Sequence, residues 1–150
     1  MNDLIVGNIT FGQAVAMAAM SQAEVDRVRE LETTMLSLPQ ARIHTDHVFH
    51  AGMYARTIMI PAGVALTGAQ VKIQTILIIS GEVLVYRDGG AKHYAGYSVC
   101  LGQIGRKMAF LALQDTYLTM LFPTDATTVD EAEMQFTDEP DKLMSRKEEQ

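Results

Sequence analysis

The pattern of hydrophobic and polar positions predicts a single amphipathic helix in the first forty residues. Apolar side chains recur at helical spacing on one face between residues 21 and 38. They are Val25, Val28, Leu31, Met35 and Leu38. The segment "SQAE" has the spacing of a capping box that begins at Ser21, and Pro39 ends the helix. Because so short a helix is marginal alone, its apolar face must pack on its own chain or on a neighbouring subunit.

From residue 40 onward, short strand-like stretches alternate with Gly, Pro and Asp turns. The candidate strands are 42–49, 53–60, 64–67, 70–79, 82–87, 91–95, 97–101, 106–112 and 115–122. "RDGG" at 87–90 is a hairpin signal, because Asp-Gly accepts the positive φ angles of a two-residue turn. "PAG" at 61–63 and "SG" at 80–81 mark further turns. Regular short strands without βαβ alternation predict a mainly β fold, a small antiparallel barrel or jelly roll.

The two ends of the chain lack this strand pattern. Residues 1–12 are predicted to be an extended, mobile arm, and "FGQAVAMAAM" at 11–20 to form a helical turn or two. Residues 125–150 carry nine acidic and three basic side chains, which account for the whole net charge of −6. This composition predicts a solvated, mobile tail, or else a segment that orders on a partner. The anchors of such a segment would be Met134, Phe136, Leu143 and Met144. The predicted units are an arm with a helix (1–39), a barrel (40–124) and an acidic tail (125–150).

Composition narrows the class of protein. A chain of 150 residues with 48% hydrophobic content is long enough to bury one core. The single cysteine, Cys100, excludes an intrachain disulfide and fits a reducing compartment. The sequence begins without a signal-peptide pattern, and its early apolar stretch is too short to span a bilayer. Since no basic stripe with interleaved aromatic residues is present, we expect a soluble intracellular protein that binds neither membrane nor nucleic acid.

The order of the turns carries a family resemblance over residues 40–125. The features are "GMYAR" at 52–56, "IPAG" at 60–63, the glycine at 68, "SG" at 80–81, "GRK" at 105–107 and "DT" at 115–116. In order and spacing, the chain resembles a group of cupin-like proteins encoded by tailed bacteriophages and prophages. The resemblance implies a double-stranded β-helix, the cupin barrel. It implies no activity, because that group is largely uncharacterised.

The metal chemistry of cupins is missing at the positions that the resemblance identifies. Similar phage proteins carry histidine or glutamate where this chain has Val71, Gln74, Thr75, Leu113 and Phe122. A divalent ion needs converging N, O or S ligands, and none of these side chains is an imidazole or carboxylate. At most Gln74 and Thr75 offer weak neutral oxygens. Strand alternation separately places Val71, Thr75 and Phe122 on inward faces. We therefore expect no metal, no cofactor, no metal-dependent enzyme activity and a packed hydrophobic interior.

The histidines and the cysteine are weak candidates for a metal or catalytic site elsewhere in the chain. "HTDHVFH" places His44 and His50 on one face of a strand and His47 on the other, so the three cannot easily meet one ion. They are interpreted as polar edge or turn residues, with a relocated metal site or a pH-sensitive contact left open. His93 stands apart. Cys100 has no histidine nearby in sequence and is interpreted as a packed or edge thiol.

Three cations raise a further question about ligands. Arg56 is the one charge in the apolar strand "MYARTIMI", where it pairs with a carboxylate across the sheet or lines an interface. Arg106 and Lys107, in "GRK", lie either on a solvent-exposed turn or at the barrel mouth, where they would favour an anionic ligand. The candidate interaction residues are Val25, Val28, Leu31, Met35, Arg56, Arg106, Lys107 and Phe136.

Two functional hypotheses follow from the sequence. The first is a non-enzymatic structural protein of phage type, a virion accessory or assembly component in the bacterial cytoplasm or the virion. Its partners would be a second copy of itself, most simply as a dimer, and other phage proteins bound through the arm and tail. The alternative is a cupin that binds a small molecule, or a residual enzyme, using the barrel interior. A filled interior favours the first, and an open pocket with convergent polar groups favours the second.

Overall fold

A computed structural model describes residues 15–17, 19–87 and 90–148. The predicted arm, 1–12, lies outside these residues. The strands are β1 (Val15–Ala16), β2 (Thr45–His50), β3 (Met53–Ile60), β4 (Ala65–Thr67), β5 (Thr75–Arg87), β6 (Gly90–Gly102), β7 (Ala109–Ala112) and β8 (Thr116–Pro123). The helices are α1 (Gln22–Leu36), α2 (Val129–Phe136) and α3 (Met144–Glu148), with a 3₁₀ turn at Pro140–Lys142. The mainly β class predicted from sequence is confirmed. Among the described residues, no helix is both long and apolar enough to cross a lipid bilayer.

Helix α1 begins where its capping box predicts. The Ser21 hydroxyl accepts a hydrogen bond from the Glu24 backbone N–H at 3.2 Å, and Glu24 accepts one from the Ser21 N–H at 3.0 Å. Val25 and Val28 are fully buried. Arg27 Nε of the helix also donates a hydrogen bond to the Tyr86 hydroxyl of β5 at 3.2 Å. It therefore packs on its own barrel, as the first of the two sequence interpretations holds.

The strands form one curled, almost wholly antiparallel sheet. Its order is β1-β6-β5-β8-β3-β2, and β7 pairs with both β4 and β5. Inward positions alternate along the strands as the sequence predicts, so Leu118, Met120 and Phe122 of β8 are all buried. Their neighbours on β5, Leu77 and Ile79, join the same core.

Glycine 81 corrects the predicted turn at 80–81. The structure continues β5 straight through this point, with Gly81 at a φ of 144°. Residues 76–80 pair with β8, whereas residues 83–86 pair with β7. Gly81 thus lies where the strand exchanges partners, and the missing side chain permits this crossing. The hairpin at 87–90 is confirmed by the pairing of Arg87 with Gly90, although its two turn residues lie outside the described part.

The described part of the segment before α1 contains a two-residue strand and no helical turn. Val15 and Ala16 pair in parallel with Cys100 and Leu101 at the edge of β6. The prediction of a helix within residues 11–20 is therefore wrong for residues 15–17, 19 and 20. Pairing with a distant strand decided the local conformation, which short-range propensity does not contain.

The acidic tail is folded onto the barrel over residues 125–148, in contrast to the predicted solvated extension. Phe136 of α2 is 2% exposed, and Leu143 is 8% exposed. The Lys72 backbone N–H donates to the Phe136 carbonyl at 2.8 Å, joining the end of α2 to the barrel. Of the other two predicted anchors, Met144 is half-buried, but Met134 faces solvent. The tail finds its partner within its own chain, so its high charge is no guide to disorder here.

Candidate functional site

The interior of the barrel contains an apolar cavity of about 140 Å³. It lies between the inner face of the sheet and the C-terminal segment that folds over it. The sheet side is lined by Ile58, Leu77, Leu118 and Met120, the loop side by Val71 and Met108, and the covering side by Phe136, Leu143 and Met144. The interior is apolar, as the sequence predicts, but it is not filled. Strand alternation identifies which side chains point inward and does not reveal whether their volumes fill the space.

A second cavity of about 210 Å³ adjoins the first, and the two are called the outer and the inner cavity below. The two share the lining residues Ile43, Leu66, Thr67, Lys142 and Met144. The remaining walls of the outer cavity include Glu32, Met35 and Leu36 of α1. The amphipathic helix and the C-terminal segment therefore both contribute walls to the outer cavity.

Arg106 lies in the wall of the inner cavity and is only 4% exposed. Its Nη1 donates to the Gln103 carbonyl at 3.0 Å, and its Nη2 donates to the Thr75 hydroxyl at 2.5 Å. Nη2 also lies 3.7 Å from the Met120 sulfur. The guanidinium rests against Gly102, where a Cβ atom would stand 2.6 Å from its Cζ. Glycine at that position makes room for the buried arginine.

The charge of Arg106 has no counter-ion among the described residues. No described carboxylate forms an ion pair with it, and its hydrogen-bond partners are a carbonyl, a hydroxyl and a thioether. A guanidinium has five N–H donors, so three contacts leave two donors without a described partner. Burial lowers the pKa of Arg106 to about 10, which keeps the side chain charged at neutral pH. The cavity wall therefore carries one uncompensated positive charge.

Arg56, the second guanidinium of the wall, is neutralised by helix α2. Its Nη1 donates to Glu133 at 2.8 Å and its Nη2 to the Ser145 hydroxyl at 3.3 Å. Burial alone would raise the pKa of Glu133, but hydrogen bonds from Ser145, Arg146 and Arg56 outweigh it and lower that pKa. The predicted pairing of Arg56 with a carboxylate is present, although the carboxylate comes from α2 rather than from a neighbouring strand. The Arg56–Glu133 pair therefore joins the C-terminal tail to the sheet.

Lys107 is completely buried and joins α1 to the tail. Its Nζ donates to the Gly68 carbonyl and to Glu32, both at 2.9 Å, and lies 3.4 Å from Glu139. Burial alone would raise the pKa of Glu139, but its bonds to Arg29 and the Gln70 N–H and the charges of Lys107 and Arg29 bring it to about 2. The expectation of a solvent-exposed "GRK" turn is therefore wrong, because both cations point into the protein.

The residues at the expected cupin metal position do not fit a metal ion. Val71, Thr75 and Phe122 are buried inside the barrel, as predicted, and the Thr75 hydroxyl is engaged by Arg106. Gln74 and Leu113 are exposed, so the placement of these two at an inward site is wrong. Within residues 15–17, 19–87 and 90–148, no three His, Cys, Asp or Glu side chains come close enough to hold an ion. An arginine stands among these positions instead, and it repels cations.

The histidines have separate roles in the structure. His47 Nδ1 lies 2.6 Å from the Tyr54 hydroxyl, and the two rings stack. His44 contacts Asp46 at 2.9 Å, and His93 lies 3.5 Å from Glu82. His50 is exposed at the end of β2. Cys100 is buried within the core, which fits the interpretation of a packed thiol.

The candidate interaction residues divide by accessibility. Val25, Val28, Lys107 and Phe136 are buried within their own chain and offer no surface to a partner. Arg56 and Arg106 face the cavity, and Leu31 and Met35 retain exposed area on α1. The sequence did not reveal that Arg106 has no carboxylate partner among the described residues, because its distance to each carboxylate depends on tertiary packing. The sequence-based prediction also missed α2, although Thr128 and Glu131 have capping-box spacing and Thr128 does accept from the Glu131 N–H at 3.2 Å.

The chain is similar to several solved structures at low sequence identity, some of them described as cupins. No protein-family model and no curated protein matches the sequence. A cupin superfamily protein from Desulfitobacterium hafniense is 14% identical, with a TM-score of 0.46 over 59% of this chain and 86% of that one. Ectoine synthase from P. lautus is 14% identical, with a TM-score of 0.49 over 65% and 75%. KdgF from Halomonas sp. is 16% identical, with a TM-score of 0.46 over 62% and 87%. These values carry no argument about activity, and nothing in them indicates a phage origin.

Proposed function

We propose that this chain binds a small molecule inside its barrel. The observation that supports this function most directly is the apolar inner cavity, which adjoins an outer cavity framed by α1 and the tail. Ligand sites are typically concave and mainly apolar, with a few polar groups that orient the ligand. Thr67 and Arg106 supply such groups here. The cavity reverses the order of the two sequence hypotheses, because an interior with space and convergent polar groups favours a ligand.

The size of the cavity limits the ligand. An engineered apolar cavity of about 150 Å³ is known to hold one benzene molecule. A volume of about 140 Å³ therefore accommodates an apolar body of similar size. A six-carbon chain or a single six-membered ring is the largest group that fits without movement of the walls.

Methionine methyl groups allow a direct test of this function. Met108, Met120 and Met144 line the inner cavity, whereas Met134 is 59% exposed on α2. We expect hexanol or hexanoate to shift the methyl NMR signals of the three cavity residues and to leave that of Met134 unchanged. Absence of a shift with either compound up to its solubility limit would overturn the proposal.

A cavity-filling variant provides the control for this test. Ala69 lines the cavity and is half-buried, so Ala69→Leu adds three carbon atoms to the space that the ligand needs. We expect it to weaken binding by about tenfold or more, since each excluded methylene removes about 0.8 kcal/mol of burial. Ala95→Leu, the same change at an exposed position of β6, should leave binding unchanged.

The outer face of the sheet favours a second candidate, a structural role through self-association. Outward positions of β3, β8, residues 76–80 of β5 and residues 97–101 of β6 carry no charged residue, and Glu82 lies at the margin of this face. They include Ile76, Tyr97, Leu101 and Tyr117, each at least 40% exposed. Large exposed apolar patches mark interaction sites, and an uncharged face can pair with its own copy without repulsion. The proposed occupant is therefore a second copy of this chain.

This second candidate is tested by molar mass in solution. We expect light scattering to show a dimer for the full chain and a monomer for Tyr117→Lys, which places a charge at the centre of the face. A monomeric wild-type chain at micromolar concentration would contradict the candidate. The finer expectation of a non-enzymatic phage assembly role is supported only by the sequence resemblance. Neighbouring virion genes would support it, whereas a metabolic operon would overturn it.

A further inference from the structure

We propose that the ligand of the inner cavity is a small monocarboxylate, whose apolar body fills the cavity and whose carboxylate binds Arg106. This inference rests on the proposed function and adds a chemical class to it. Nothing in the fold comparison assigns a ligand to this residue. The geometry that supports it is a buried guanidinium in the wall of an otherwise apolar space.

The first step concerns charge. Arg56 faces the same cavity, but Glu133 compensates its charge at 2.8 Å. Lys142, at the junction of the two cavities, lies 3.2 Å from Glu32 and 3.4 Å from Glu139. Of the three described cations that line the cavity, Arg106 is the one without a carboxylate partner among the described residues. A buried charge is costly unless it is paired, so an anion is the ligand type that this wall favours.

The second step concerns the donors. Thr75 and Gln103 hold the guanidinium in a fixed position and occupy one hydrogen on each of its two terminal nitrogens. The Met120 sulfur, 3.7 Å away, is a weak acceptor that an oxygen would displace. Arginine binds carboxylates through pairs of parallel hydrogen bonds, and these bonds are strong where water is excluded. A carboxylate therefore accepts from two of the three donors that Thr75 and Gln103 leave, in one contact.

The third step concerns the rest of the ligand. Beyond Arg106, the inner cavity is lined mainly by aliphatic, methionine and phenylalanine side chains. Its other two cations, Arg56 and Lys142, are already paired with carboxylates of this chain, so they leave no unpaired positive charge for a second carboxylate. A dicarboxylate would have to bury its other carboxylate against this surface. The matching ligand has one charged end and an apolar body of about six carbons. Hexanoate and benzoate are the simplest examples of this class.

The experiment compares three compounds of equal chain length on the full chain. Hexanoate, hexanol and hexylamine are titrated separately, with binding measured by calorimetry and by the Met108 and Met120 methyl signals. We expect hexanoate to bind about tenfold to a hundredfold more tightly than hexanol, and hexylamine to bind least. Equal binding of hexanoate and hexanol would overturn the monocarboxylate inference and leave the proposed function standing. Failure of every compound would overturn the proposed function as well.

Two further measurements identify Arg106 as the anchor. Arg106→Met should reduce hexanoate binding to the level of hexanol, whereas Arg42→Met, at an exposed position outside the cavity, should not. Retained hexanoate preference in Arg106→Met would overturn the assignment. If that variant does not fold, the Nε–H NMR signal of Arg106 in the wild-type chain decides instead. It should shift with hexanoate and not with hexanol, and an unchanged signal during hexanoate binding would exclude contact.

Discussion

Replacement of Glu133 by glutamine is expected to lower the free energy of unfolding by about 3–5 kcal/mol. Glu133 has no exposed side-chain area and accepts hydrogen bonds from Arg56, Arg146 and Ser145. Glutamine keeps the shape but removes the negative charge, so the buried guanidinium of Arg56 loses its counter-ion. The penalty for an unpaired buried charge exceeds the loss of an ordinary hydrogen bond.

Urea unfolding of the full chain provides the measurement for Glu133→Gln. The matched control is Glu30→Gln, which removes the same charge from an exposed position of α1 and should change stability by less than about 0.5 kcal/mol. The double variant Arg56→Met, Glu133→Leu removes both charges and should recover much of the loss. Equal stability of the two single glutamine variants would show that the Arg56–Glu133 pair does not hold the tail.

Gly81→Ala is the second substitution with a large expected effect. At a φ of 144°, any side chain is strained, at a cost of order 1–3 kcal/mol. The new Cβ would also stand 2.6 Å from the Thr116 hydroxyl and 2.7 Å from the Asp115 carbonyl. Overpacking of this kind costs about 1–3 kcal/mol more. We expect a destabilisation of about 2–6 kcal/mol, since both effects act together.

Gly90→Ala is the matched control on the neighbouring strand. Gly90 is exposed, has no atom within 4 Å of an added Cβ and carries no positive φ. Thermal unfolding should show a fall in melting temperature for Gly81→Ala and almost none for Gly90→Ala. Similar melting temperatures for the two variants would mean that β5 can pass from β8 to β7 without a glycine.

Both substitutions bear on the proposed site, because they act on the elements that enclose the cavity. The partner exchange at Gly81 brings β5 against β7, whose Phe110 lines the inner cavity. The pair at Glu133 holds α2 over the opposite side, with Phe136 in the wall. A loosened tail would therefore open the cavity to water and weaken ligand binding without any change at Arg106.

Local sequence signals predicted the elements whose conformation depends on near neighbours. The capping box at Ser21 predicted the start of α1 to within one residue, because its hydrogen bonds join residues three apart. Alternation in β8 predicted its buried face, since the period of a strand is a backbone property. Thr128 has the same capping spacing at the start of α2. The prediction for this segment followed its acidic composition instead and therefore missed the helix.

The sequence by itself determined the mainly β class, the helix before the barrel, the inward face of the strands and the absence of metal-ligand residues at the resemblance positions. Only the tertiary structure decided which of the buried cations are paired with a carboxylate. Arg56 meets Glu133 from 77 residues away, and Lys107 meets Glu32 from 75 residues away, whereas Arg106 meets no described carboxylate. Electrostatic compensation depends on distances of a few ångströms between remote parts of the chain. For the same reason the cavity was not predictable, since it is the space left after all the surrounding side chains have packed.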